Sequence, residues 1–87
     1  MSNINEILEQ RRNNYGTFNH VASIAEQIAE ACEYNKEYRT HSMNMAIYMI
    51  ASKLARIVSG NPSYKDSWVD IAGYAQLIVN ELENNPK

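Results

Sequence analysis

The stretch that decides the fold is MNMAIYMIASKLARIV, residues 43–58. Met43, Ala46, Ile47, Ile50, Leu54, Ile57 and Val58 recur three and four residues apart, the spacing at which side chains share one face of an α-helix. Met45 and Met49 add a second apolar edge. A helix that only covers a surface needs a single stripe, so this one expects contact on more than one side, as a central bundle helix or an oligomer interface. Thr40 or Ser42 caps its start, and Gly60 stops it ahead of a turn at Asn61-Pro62.

Three further helices follow from the same periodicity. A short first helix, capped by Ser2 or Asn3, places Ile4, Ile7 and Leu8 on one face and fails near Asn13-Asn14-Tyr15-Gly16, with Gly16 supplying a positive φ at the stop. Thr17 restarts the chain as an N-cap. The second helix then runs from Phe18 to Tyr34 with Val21, Ile24, Ala25, Ile28, Ala31 and Cys32 as its stripe, and Phe18 anchored in the core. After the polar link EYNKEYRT, residues 33–40, and the third helix, Ser63 and Asp66 form a capping-box variant opening a fourth. That helix carries Trp68, Ile71, Ala72, Ala75, Ile78, Val79 and Leu82 before fraying in ENNPK, residues 83–87. No strand-like alternation and no internal repeat interrupts the pattern. The expected fold is all-α: one domain, residues 1–87, built as a small antiparallel bundle of one short and three longer helices, and oligomeric.

Composition narrows the function classes. At 87 residues the chain buries only about two-thirds of its unfolded surface, so its core is thin and association helps it. A net charge of -2 with no basic stripe disfavours duplex nucleic acid and a DNA-binding regulator. No apolar run nears the roughly 18 residues that span a bilayer, and the polar N-terminus is unlike a signal sequence, so no membrane is expected. The single cysteine, Cys32, makes no intramolecular disulfide and suits a reducing, cytoplasmic setting, where it reads as a small packed residue.

Four groups of residues carry possible chemistry. Asp66 and Asp70 stand one turn apart, as do Glu26 and Glu30; if all four converged they would suit magnesium, which takes hard oxygen ligands. Alternatively Asp66 caps a helix start and the glutamates are a solvated face. Lys53 and Arg56, three apart on the third helix, either clamp a phosphate or pair with Asp66 and Asp70 across the Gly60–Pro62 turn. Tyr15 and Trp68 are candidates for stacking on a ligand, with helix packing as the plainer role. Gly73 in mid-helix costs about 1 kcal/mol against alanine; close approach of another helix, flanked by Trp68 and Tyr74, is the expected compensation. His20 and His41 lack partners at zinc spacing, and neither a nucleophile elbow nor a phosphate loop is present.

Two stretches together also carry a resemblance. ILEQRRNNYGTFNHVA, residues 7–22, and MIASKLARIVSGNPSYKDSWVDIAGYAQLI, residues 49–78, resemble a family of small bacteriophage and prophage proteins with no assigned biochemical role. More distantly, WVDIAGYAQL is similar to a late helix of the MazG-like all-α nucleotide pyrophosphohydrolases, which hold magnesium between an E-x-x-E pair and an E-x-x-D pair. Asp70 matches the final Asp there, whereas Ser67 stands where that group has Glu, and Glu26 and Glu30 are spaced four apart rather than three. The phage resemblance implies a host-cell cytoplasm as location. It also implies a binding protein without catalytic residues or cofactor, engaging a host protein such as a defence component or sequestering a nucleotide. The hydrolase similarity implies the alternative, magnesium-dependent release of pyrophosphate from a nucleoside triphosphate with Lys53 and Arg56 neutralising phosphate charge. The Met-rich third helix implies a homo-oligomer.

Overall fold

A computed structural model describes residues 4–84. Four α-helices follow one another: α1 (Ile4–Tyr15), α2 (Phe18–Ala31), α3 (His41–Ser59) and α4 (Lys65–Asn84), with a 3-10 turn at Lys36–Tyr38. Among the described residues there is no strand, as the periodicity expects. The expected caps Ser2 and Asn3 lie outside the described residues, as does the end of the tail, 85–87.

Local chemistry sets the boundaries. The Thr17 side chain accepts the His20 N–H at 3.4 Å, and Gly16 ends α1 at φ 88° with its N–H donating to the Arg12 carbonyl. Thr40, rather than Ser42, caps α3 by accepting the Met43 N–H at 3.1 Å. The second helix stops at Ala31, three residues short of the expected Tyr34. There the chain turns through Asn35 in the left-handed region (φ 58°), and Arg39 donates to the carbonyls of Cys32 and Tyr34 that the helix leaves free. The expected Ser63–Asp66 capping box gives way to a turn built by Asn61, whose side chain accepts the Ser63 N–H at 2.9 Å.

α3 is the central helix. It packs extensively on α2 along one side and α4 along another, and buries Ala46, Ala51, Lys53, Ala55 and Ile57. α4 docks through Ser67, Ile71, Tyr74, Ile78 and Glu81, a four-three spacing that runs down one face. Three members of this seam sit one residue earlier than the expected Trp68, Ala75 and Leu82. α4 carries apolar residues almost all round, so Trp68, Val69, Leu77, Val79 and Leu82 remain exposed. Val58, expected in the α3 stripe, is 67 % exposed because no helix covers that side of the last turn.

α1 is different. It buries no residue and touches the bundle mainly through its C-terminal end. The molecule is consequently elongated, 51 × 25 × 24 Å, with a radius of gyration of 15.1 Å. A compact domain of this length has about 12 Å.

The close approach expected at Gly73 occurs elsewhere. No atom lies within 4 Å of a Cβ built on Gly73, so the packing seam proposed there does not exist. The contact is between the two turns. A Cβ on Gly60 would fall on the backbone of Asn14 and Tyr15, well inside the 3.0 Å limit of real contacts, and one on Gly16 would lie 2.6 Å from the Ser59 carbonyl oxygen. The Asn61 N–H donates across this junction to the Asn14 carbonyl at 2.9 Å.

Candidate functional site

The interlocked turns organise one group of candidate residues. Arg56 lies over the Tyr15 ring at 4.7 Å from its centroid, and Tyr15 meets Tyr64 edge-on at 5.6 Å. Asp66 stands beside Tyr64, and its negative charge, followed by the nearby Tyr15 and by burial, raises the Tyr64 hydroxyl above its ordinary pKa. A run of side chains, Arg56–Tyr15–Tyr64–Asp66, thus ties α3, α1, the turn and the start of α4 together. Arg56 is held by an aromatic face and not by the acids across the turn, as the salt-bridge reading expects for it. Lys53 does follow that reading: its buried ammonium meets Asp70 at 3.0 Å, joining α3 to α4. Trp68 stacks on no aromatic ring among the described residues. Its indole N–H donates to the Pro62 carbonyl at 2.8 Å and clamps the turn while half its surface stays exposed.

The four carboxylates do not form one site. Asp70 is engaged by Lys53, and Asp66 neighbours Tyr64, whereas Glu26 and Glu30 line a separate groove. Among the described residues no three His, Cys, Asp or Glu side chains gather in a way that could hold a metal ion. The arrangement does not fit the magnesium centre that the hydrolase similarity implies.

A groove of about 1210 Å³ lies between α1 and α2, with Tyr48, Ser52 and Arg56 of α3 as its floor. It exists because α1 splays away from α2, held at the Tyr15–Gly16 end and open along the rest. Its α2 wall alternates small apolar positions, Ala22, Ala25 and Ala29, with Glu26 and Glu30, and Glu33 follows in the turn beyond the helix. The α1 wall offers Leu8 with Arg11 and Arg12. Arg12 pairs with Glu9 at 2.6 Å, while Arg11, Glu26 and Glu30 have no ion pair among the described residues. At the lip stands Phe18, expected in the core and in fact 85 % exposed. Two of the stacking and phosphate candidates, Tyr15 and Arg56, line the groove; Lys53 and Trp68 do not. Such a surface suits an apolar segment with charges of both signs along its flanks, since alanines let a second backbone come close.

Sequence reasoning missed the groove because it needs two facts no helix carries alone: that α1 leaves α2 and that Phe18 faces outward. The signal was present only as an amphipathic α1 too short to bury its own face.

The chain belongs to the family described as "Domain of unknown function (DUF6378)", whose family model matches residues 1–82. No curated protein and no solved structure matches it. The family description names neither phage proteins nor pyrophosphohydrolases. No helix is long and apolar enough to cross a membrane among the described residues.

Proposed function

We propose that this DUF6378 chain is a small interaction protein that receives an amphipathic helical segment of a partner polypeptide in the α1–α2 groove and makes or breaks no covalent bond. The observation that supports it is the groove's composition: a wall of small apolar side chains on α2, with Arg11 on one side and Glu26 and Glu30 on the other free of ion pairs among the described residues. An amphipathic helix satisfies all three at once, its apolar face on the alanines and its charges on the walls. A nucleotide fits less well, because its phosphates would share the groove with Glu9, Glu26, Glu30 and Glu33. The resemblance to phage and prophage proteins makes a host protein, such as a defence component, the partner class.

The test is capture from host lysate by wild type and by Ala25→Glu, which puts a bulky charge on the apolar wall. A polypeptide retained by the first and lost by the second, with a synthetic helix from that partner binding at least about tenfold more weakly to the variant, supports the reading. Retention of the same polypeptide by wild type and by Ala25→Glu alike overturns it. So does magnesium-dependent release of pyrophosphate from nucleoside triphosphates that is lost in Asp70→Asn, which would establish the hydrolase alternative.

A further inference from the structure

The α1–α2 groove is polarised along its length. Nearer its closed end, beside Gly16, stand Arg11 of α1 and Arg56 of α3, while Arg12 is already neutralised by Glu9. Toward the open end α2 contributes Glu26 and Glu30. Among the described residues Arg11, Arg56, Glu26 and Glu30 make no ion pair. The α1 helix itself carries the complementary order, with an unpaired Glu6 in its first turn and Arg11 late, and Ile4, Ile7 and Leu8 exposed along one face. We propose that the α1 helix of a second copy enters this groove antiparallel to the resident α1, so that the chain is an isologous homodimer that covers both of its grooves.

Three observations single out a second copy as the occupant. The first is charge order. Laid antiparallel, the incoming helix sets its Glu6 against the resident Arg11 and carries its own Arg11 toward Glu26 and Glu30, and a two-fold axis repeats both contacts. Laid parallel, it would set Arg11 beside Arg11 and Glu6 toward the two glutamates. The second is area. The chain exposes 6578 Å², whereas a folded monomer of this mass exposes about 5,200 Å². A main source of the excess is α1, which buries no residue and leaves Ile4, Ile7 and Leu8 half or more exposed. The excess is larger than the roughly 800 Å² that each partner loses in a standard interface, and the proposed contact draws on the surface that holds it. The third is fit. The 12 residues of α1 span about 18 Å and the 14 of α2 about 21 Å, so the helix matches its wall in length. Its Ile7 and Leu8 then face the alanines of α2, whose small side chains admit a second backbone, and Ile4 approaches the lip where Phe18 stands uncovered. A partner helix reaches the groove only by displacing α1 of the other copy. That regulation rests on the proposed function; the dimer itself does not.

Sedimentation equilibrium of the full chain across micromolar concentrations tests this. Wild type should show twice the 10.0 kDa chain mass. One variant chain carries Glu26→Arg with Glu30→Arg, another Arg11→Glu. Each alone should fall to the monomer mass with an unchanged helical circular dichroism spectrum, because like charges then meet in the groove. Their equimolar mixture should regain the dimer mass, since the reversed α1 now suits the reversed wall. Should either variant fail to fold, cross-linking in a Cys32→Ser background gives a second reading. Leu8→Cys, at the centre of the antiparallel register, should oxidise to a covalent dimer, while Leu77→Cys on the exposed side of α4 should not. A monomeric wild type, a dimer that survives either charge reversal, a mixture that stays monomeric, or no selective cross-link at Leu8 overturns the proposal. Sedimentation needs no partner and capture from lysate needs no dimer, so either reading can fail without the other.

Discussion

Two glycines should respond in opposite directions to the same added methyl group. At Gly60 the penalty for alanine is worked from the contacts that the added Cβ would meet. The new Cβ would collide with the backbone of Asn14 and Tyr15, which cannot rotate aside as a flexible side chain would. The turns must therefore part. Overpacking of this kind costs about 1–3 kcal/mol. Separation also loosens the Asn61–Asn14 hydrogen bond, about 1 kcal/mol, and the Arg56–Tyr15 contact, about 0.5–1 kcal/mol. Because partial relaxation spares some of each, the expected loss is about 2–4 kcal/mol, most of what a domain this small possesses. Gly73→Ala meets nothing within 4 Å and replaces a poor helix former in mid-helix, so it should stabilise by about 0.5–1 kcal/mol. Urea unfolding followed by circular dichroism measures both, provided the slope is unchanged between variants. Shifts of the same sign, or a Gly60→Ala variant within about 0.5 kcal/mol of wild type, would refute the interlocked-turn reasoning.

The Lys53–Asp70 pair supplies another contrast. Asp70→Asn leaves a buried ammonium without its counter-charge and should cost about 1–2 kcal/mol, below the figure for fully buried pairs because Asp70 is 46 % exposed. Lys53→Met, which keeps the packing stem and leaves no buried charge, should cost less in the same thermal denaturation series; the reverse ranking would contradict the assignment. Tyr64 should deprotonate above its ordinary range because Asp66 opposes a second negative charge, so the folded pKa exceeds the unfolded one. The corresponding stabilisation is present below the unfolded value and fades as pH rises through the folded one. Ring-carbon NMR titration should move Tyr64 back down in Asp66→Asn, and an unmoved curve would remove Asp66 as the cause.

Much of the fold is legible in the chain. Three- and four-residue spacing specifies four helices, Thr17 and Thr40 mark two starts, and Gly16 marks a left-handed stop, because caps and periodicity act within a few residues of one another. The salt bridge between Lys53 and Asp70 was also within reach, since a short turn between antiparallel helices brings opposite charges together. Arg56 escaped the same logic: its neighbour is the Tyr15 ring, delivered by a helix more than thirty residues earlier.

What periodicity leaves open is which face meets a neighbour. α4 is apolar on several sides, and only its docking on α3 selects Ser67, Ile71, Tyr74 and Ile78 while leaving Trp68, Leu77 and Val79 outside. The sequence likewise cannot separate Gly60 from Gly73. One glycine is held by the backbone of a distant turn and the other by nothing, and this difference lies in contacts between elements. The same is true of the groove and the divided carboxylates. A residue's own spacing determines the helix it joins, through local backbone hydrogen bonds. Where that helix then lies is set by the summed burial of all the others, and here α1, with no buried residue, leaves open the space the functional reading rests on.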